Sequence, residues 1–224
     1  MPRLDVWLVE KGHFSSRQVA KRAIKEGMVT VDGKKCKPSK YVNGKEDIKI
    51  SPKFMDKPMG YHKLKQIDDL LEENLVTPPC IALDIGSSAG GFLTYLNDRG
   101  ATAIGIEVAR RFSEDLTKLA NSHSGISVIF DDAFTIDPTI IVDEGGLDLL
   151  LVDVTTEIDS TLNLISRFSP LLKKGGRLVA AFKTNNPDIV LQLLESVRGF
   201  DFEDVQSICL DDSRQEAHIT GCYR

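Results

Sequence analysis

With 224 residues, 42% hydrophobic and 27% charged, the chain has room for one small and one medium core. It lacks the run of roughly 20 apolar residues that a bilayer-spanning helix needs, so a pore-former is disfavoured. The net charge of −5 hides a reversal: residues 1–57 hold 14 Lys and Arg against 7 Asp and Glu, residues 58–224 hold 14 against 26, and a basic head on an acidic body points to nucleic acid.

Met1 to Asp5 offers neither an apolar signal core nor a small-residue cleavage site, which makes a cytoplasmic protein the expectation. A first helix is predicted near Leu4 to Lys11, closed by Gly12, and a second from Ser16 to Glu26, capped by Gly27. On the second, Val19, Ala20, Ala23 and Ile24 share one arc, while Arg17, Lys21, Lys25 and, further round, Arg22 share the other. Met28 to Val31 reads as a short strand entering an Asp32-Gly33 turn. A rigid cationic face suits phosphates, because Lys and Arg release counterions along a nucleic-acid backbone without reading its bases; a merely solvated face would have the same composition. Arg3-Leu4-Asp5, Ser16-Arg17, Ala20, Ile24, Gly27, Val29, Val31 and Gly33 resemble the S-four RNA-binding domain over about residues 1–50. That resemblance implies a small α+β domain whose Arg3, Arg17, Lys21, Arg22 and Lys25 meet structured RNA.

Pro52, Pro58 and the lysines between Ile50 and Gly60 read as a linker, giving a division into residues 1–57 and 58–224. A helix is predicted from Tyr61 to Glu73 on the spacing of Leu64, Ile67, Leu70 and Leu71. Strands are predicted at Ile81 to Ile85, Thr102 to Glu107, Ser127 to Phe130, Leu147 to Asp153, Arg177 to Lys183, Asp204 to Leu210 and Glu216 to Tyr223, with helices between most of them. Alternation of this kind predicts an α/β, Rossmann-like domain: a mostly parallel seven-stranded sheet that binds ligands at the carboxyl ends of its strands. Cys36, Cys80, Cys209 and Cys222 form no Cys-x-x-Cys pair, so buried free thiols are expected and no metal site.

The first of these strands ends in Asp84-Ile85-Gly86-Ser87-Ser88-Ala89-Gly90-Gly91-Phe92. Gly86, Gly90 and Gly91 would let a ligand approach the backbone, and Ser87 or Ser88 would supply hydrogen bonds. Glu107, ending the second strand, can accept both hydroxyls of an adenosine ribose, as in dinucleotide and S-adenosylmethionine sites. The spacing is Gly-x-x-x-Gly-Gly rather than Gly-x-Gly-x-x-Gly, and Asp84 would repel a pyrophosphate while attracting the cationic aminobutyrate of S-adenosylmethionine. The methyl donor is therefore the favoured cofactor, although a tight turn that binds nothing shares the pattern. Asp132, followed by Ala133 after the third strand, stands where it could accept from the adenine amino group; a turn-capping aspartate would look the same.

Asp153 and Lys183 follow apolar strands and are expected on one rim of the sheet. Glu216 would join them if the last strand runs antiparallel, and Lys63 on the preceding helix is the fourth candidate. His62-Lys63-Leu64, the glycine loop, Asp153, Lys183 and Glu216 resemble the FtsJ-type ribose methyltransferases and their Lys-Asp-Lys-Glu tetrad; with the basic head, the chain is similar to the TlyA family of ribosomal RNA 2′-O-methyltransferases, some of which carry a hemolysin label. The resemblance implies transfer from S-adenosylmethionine to a ribose 2′-hydroxyl of RNA, most simply ribosomal RNA or a ribosomal subunit, with no membrane partner. Lys183 would draw off the hydroxyl proton, Asp153 and Glu216 would position the reacting groups, and Lys63 would hold the target ribose or phosphate. Val154-Thr155-Thr156-Glu157 and Thr184-Asn185-Asn186-Pro187 depart from the family's usual continuations, which leaves the acceptor open. The alternative is an inactive RNA-binding ribosome assembly factor on the same fold. A base methyltransferase would be expected to carry an Asn-Pro-Pro-Tyr-like segment or a nucleophilic cysteine where Asp153-Val154-Thr155-Thr156 stands.

Overall fold

The computed structural model describes residues 1–14, 16–51, 57–210 and 216–224, so Pro52 of the expected linker lies outside the described residues. The chain divides into two units, Met1–Met59 and Gly60–Arg224.

The first unit holds α1 (Leu4–Glu10), α2 (Arg17–Lys25), β1 (Val29–Val31), β2 (Lys34–Lys35) and β3 (Ile48–Ile50). Ser16 caps α2 by accepting from the Val19 amide at 3.3 Å. Gly27, at φ 74°, ends that helix in the left-handed conformation a side chain disfavours. Asp32 and Gly33 both take positive φ, and the Val31–Lys34 register makes them a two-residue hairpin turn, as the Asp-Gly pair predicts. Leu4, Leu8, Ala20, Ala23, Ile24, Val29 and Val31 form the core, so the apolar arc of α2 faces inward and its cationic arc outward.

In the second unit, α3 (Met59–Leu70) precedes β4 (Ile81–Ile85), α4 (Gly91–Asp98), β5 (Thr102–Ile106), α5 (Ser113–Ser122), β6 (Ile126–Ile129), β7 (Leu147–Val152), α6 (Ile158–Phe168), β8 (Leu172–Phe182), α7 (Pro187–Arg198), β9 (Phe202–Ile208) and β10 (Ala217–Tyr223). The sheet order is β6-β5-β4-β7-β8-β10-β9. Strands β4 to β8 pair in parallel, and β10 runs antiparallel between β8 and β9. Strand β8 begins five residues earlier than the sequence pattern predicts, because Lys173-Lys174-Gly175-Gly176 reads as a turn but is carried in the strand across an irregular register against β7. Connections leave β4 toward β5 on one side and reach β7 on the other, which opens a crevice at its carboxyl end.

Strand alternation sends residues to opposite faces. Leu83, Ile85, Leu150, Val152, Leu178, Ala180 and Phe182 pack with α6 and α7; Ala82, Leu149, Leu151 and Val179 pack with α3, α4 and α5. The two-residue period therefore carries Asp84, Asp153 and Lys183 toward the α3 face. All four cysteines are free thiols, and Cys80 alone is buried; Cys36 and Cys222 are half-buried and Cys209 is exposed, which corrects the expectation of buried thiols throughout. Among the described residues no helix is long and apolar enough to cross a membrane, and no cluster of His, Cys, Asp and Glu could hold a metal ion.

Candidate active site

Ala217 pairs with Phe182 across the antiparallel β8–β10 ladder, so Glu216 arrives opposite Lys183 at the sheet's edge. Lys183 Nζ lies 2.5 Å from Glu216 Oε1 and 3.5 Å from Asp153 Oδ1. Lys63, one helical turn into α3, reaches down onto the same acids, 2.7 Å from Asp153 Oδ2 and 2.8 Å from Glu216 Oε1. The four side chains, from four separate elements, close into one alternating ring of charge. The two cations differ in exposure, Lys63 at 8% and Lys183 at 42%. Lys63 is thus paired with the two carboxylates and buried, and Lys183 is the more exposed cation of the ring. Lys65 pairs with Asp69 on the exposed side of α3, at 2.5 Å, and takes no part.

Burial would raise the Glu216 carboxyl, but the bonds from Lys183 and Lys63 overcome it and set it at about 2. Burial lowers Lys183, and the Glu216 bond together with the Asp153 charge outweighs it, holding the ammonium above the ordinary lysine value. His218, two residues along β10, is 2% exposed, and burial followed by the Lys63 charge keeps its imidazole neutral, at about 4.

Beside this ring lies a cavity of about 330 Å³ at the carboxyl ends of β4, β5, β6 and β7. Of the residues expected to bind a cofactor, Gly86, Ser88, Glu107, Asp132 and Ala133 line it, and so does Asp153. Gly86 has φ 90°, and a Cβ there would stand 2.7 Å from the Asp153 carbonyl oxygen, so glycine is required for the two loops to meet. Glu107 accepts from the Ser88 amide at 2.7 Å and the Ala109 amide at 2.6 Å, one bond to each oxygen, which fixes its carboxylate plane while leaving further lone pairs. Asp132 Oδ1 accepts from the Phe134 amide at 2.9 Å, the turn-capping bond, and Oδ2 is the oxygen left for a ligand.

Asp84, next to last in β4, is 1% exposed, and neither carboxylate oxygen completes a well-aligned hydrogen bond among the described residues, Ser87 being its nearest donor. Burial, reinforced by the charges of Asp153 and Glu107, pushes its carboxyl up to about 7. Asp84, Ser87, Gly90, Gly91 and Phe92 do not line the cavity. The Ser87 hydroxyl donates to the Asp84 main-chain carbonyl at 3.1 Å. A Cβ on Gly90 would meet the Leu119 side chain at 2.5 Å and one on Gly91 the Tyr61 nitrogen at 2.6 Å, so these glycines serve the packing of α4 against α5 and α3. Val108, Ala109, Arg111 and Phe112, which carry no motif in the sequence, also line the cavity, as do Val154, Thr155 and Thr156 of the segment that departs from the family's usual continuation. Their signal was position: each follows within five residues of Glu107 or Asp153 at the binding edge of the sheet.

In the first unit Asp5 is fully buried and gathers three cations. Arg3 Nε lies 3.0 Å from Oδ1, and Arg17 and Lys21 lie 3.3 and 3.8 Å from Oδ2. Burial would raise the Asp5 carboxyl; the hydrogen bonds from Arg3 and Arg17 win and hold it below the ordinary carboxylate value. Arg3, Lys21 and Lys25 line a hollow of about 600 Å³ together with Lys35 and Lys37. Arg22 turns elsewhere, donating to the Lys57 carbonyl at 3.1 Å and standing 3.9 Å from Glu26.

A model of the FtsJ-like methyltransferase family matches residues 57–208, and one of the S4 domain matches residues 2–48. A fibrillarin-like rRNA/tRNA 2′-O-methyltransferase of Halobacterium salinarum is 29% identical over 120 residues, 49% of this chain and 56% of that protein. The chain thus spans about half the length of the curated relatives it matches. Among solved structures, a candidate hemolysin from Streptococcus thermophilus is 18% identical with a TM-score of 0.61, covering 99% of this chain and 88% of its own. Aeropyrum pernix fibrillarin with natively bound S-adenosyl-L-methionine is 21% identical with a TM-score of 0.60, over 72% of this chain and 75% of that one. At these identities the structural likeness is one of fold.

Proposed function

We infer, for a chain that belongs to the FtsJ-like methyltransferase family, that it transfers a methyl group from S-adenosyl-L-methionine to a ribose 2′-hydroxyl of structured, ribosomal RNA in the cytoplasm. Residues 1–57 serve RNA binding in this reading, and residues 58–224 serve the transfer. The observation that carries it is the closed ring of Lys63, Asp153, Lys183 and Glu216 beside a cavity that Asp153 also lines.

The residues present fit the donor. A buried carboxylate with no well-aligned donor among the described residues, Asp84, calls for a cationic group with N–H donors, and a Cβ at Gly86 would collide with the Asp153 carbonyl. Asp84, Gly86 and Ser88 would hold the amino-acid end of the cofactor, Glu107 its ribose hydroxyls, and Asp132 with Ala133 its adenine. When bound, S-adenosyl-L-methionine supplies an electrophilic methyl carbon on a sulfonium. The chain's own task is to orient a poor nucleophile and take its proton. Lys183, the exposed cation of the ring, meets the incoming hydroxyl. Its two carboxylate partners fix the direction of Nζ, and Lys63 offsets their mutual repulsion from within. Because those partners also favour the ammonium, Lys183 accepts the proton only from its neutral form, which makes transfer faster at higher pH.

The fibrillarin-like relative is named for rRNA and tRNA 2′-O-methylation, and the S4 match agrees with the cationic array around Asp5. Incubation with labelled S-adenosyl-L-methionine and ribosomal subunits, followed by alkaline digestion, tests the reading. A 2′-O-methyl group blocks cleavage of the adjacent phosphodiester, so label is expected in alkali-resistant dinucleotides. Label in alkali-sensitive mononucleotides would mean base methylation and overturn the reading; no incorporation would favour the assembly-factor alternative.

A further inference from the structure

His218 carries an unpaid-for cost in its position. It sits inside the sheet edge on β10, between Ala181 of β8 and Ile208 of β9, with 2% of its surface exposed. Neither ring nitrogen completes a well-aligned hydrogen bond among the described residues, the nearby Ile208 main chain being a polar neighbour on β9. Burying a polar group in that state costs about 1–3 kcal/mol, and an apolar side chain of similar volume would avoid it. A core that serves packing alone gains nothing from histidine here.

The neighbours of the ring identify what it could serve. Glu216 immediately precedes β10, two residues before His218, and the side chains of the two are neighbours. Lys63 and Lys183 both bond to Glu216 Oε1, and His218 Nε2 lies 3.9 Å from the other oxygen, Oε2. The charged groups around it are Lys63 from α3, Asp153 after β7, Lys183 after β8 and Glu216 just before its own strand, a set that balances without any charge on the imidazole. Oε2 is the Glu216 oxygen nearest Nε2, and neither lysine pairs with it at the distances given above, which leaves it as the acceptor that an Nε2–H would face.

We propose that His218 is a positioning residue of the transfer reaction: its neutral imidazole donates from Nε2 to Glu216 Oε2 and keeps Oε1 turned toward Lys63 and Lys183. The inference rests on the methyltransferase reading above. It assigns His218 no contact with the donor or the RNA. Its effect passes through Glu216 to the direction of Lys183 Nζ, where a displacement of about 1 Å at the reacting group can cost up to a hundredfold in rate.

Two variants and one spectrum test it. His218→Leu removes two buried polar atoms that lack a well-aligned hydrogen bond among the described residues, so its thermal midpoint is expected to equal or exceed that of the wild type. Its kcat is expected to fall roughly ten- to a hundredfold, with KM for RNA and affinity for S-adenosyl-L-methionine unchanged. His218→Gln keeps an N–H donor and is expected to recover most of the rate. Wild-type kcat in the leucine variant would overturn the proposal, and so would equal losses of rate in both variants tracking a fall in stability. Nitrogen-15 NMR of the imidazole in the full chain, which needs no turnover, is expected to find the Nε2–H tautomer; the Nδ1–H tautomer would also overturn it. Failure of the wild type to make alkali-resistant product counts against the methylation reading, whereas the tautomer reports on His218 alone.

Discussion

Lys63 Nζ lies 2.8 Å from Glu216 Oε1, so a helix that precedes the sheet is bonded to its last strand across 153 positions of sequence. The same nitrogen lies 2.7 Å from Asp153 Oδ2, which encloses one cation between two acids. Removing that cation leaves two partly buried carboxylates facing each other. Lys63→Met is expected to cost about 3 kcal/mol of stability by denaturant unfolding, because an uncompensated buried charge is penalised more than the pair is rewarded. Its Glu216 carboxyl should also titrate above the value of about 2 that the two lysines impose.

Lys183 is 42% exposed, and its loss should leave folding nearly intact. Lys183→Ala is expected to lower kcat by at least about a hundredfold while calorimetric affinity for S-adenosyl-L-methionine stays within about twofold. In the wild type, the ammonium held above its ordinary value predicts a single-turnover rate that climbs with pH throughout the neutral and mildly alkaline range. A plateau at neutral pH would remove Lys183 as the proton acceptor.

Asp84 gives the opposite kind of titration. Its folded value of about 7 lies above the unfolded carboxylate value, so the folded chain holds an extra proton between about pH 4 and 7. Ionisation there costs stability as pH rises through that window, and a cationic ligand offsets the cost. Affinity for S-adenosyl-L-methionine is therefore expected to rise from pH 6 toward pH 7 and then level. Asp84→Asn should flatten that rise and weaken binding at pH 7.5, both measurable by calorimetry.

Asp5 supplies a usual carboxylate case in the basic unit. Its value is held below that of the unfolded chain, so its stabilisation is complete above about pH 4 and is lost as pH falls through the folded value. Asp5→Asn is expected to lower the stability of the chain at pH 7 by about 1–3 kcal/mol, discounted because its partners are partly exposed, and to blunt acid unfolding. An unchanged acid-unfolding profile would show that Arg3, Arg17 and Lys21 hold their places without it.

Periodicity and turn chemistry alone determined the order of strands and helices, the Asp32-Gly33 hairpin, and the placing of Asp84, Asp153 and Lys183 at strand ends, because those features depend on neighbours in the chain. The resemblance of spaced motifs carried the rest of the sequence reading, including Lys63 over Lys65. Tertiary structure alone decided the antiparallel β10 that delivers Glu216 opposite Lys183, the contrast in exposure between a buried Lys63 and an open Lys183, and the packing of Gly90 and Gly91 against neighbouring helices rather than along the cavity. It also decided that Asp84 is buried without a well-aligned donor among the described residues and that His218 lies beside Glu216. The physical reason is range: a side chain's exposure, partners and ionisation depend on groups brought together from distant segments, and local pattern specifies only the segments.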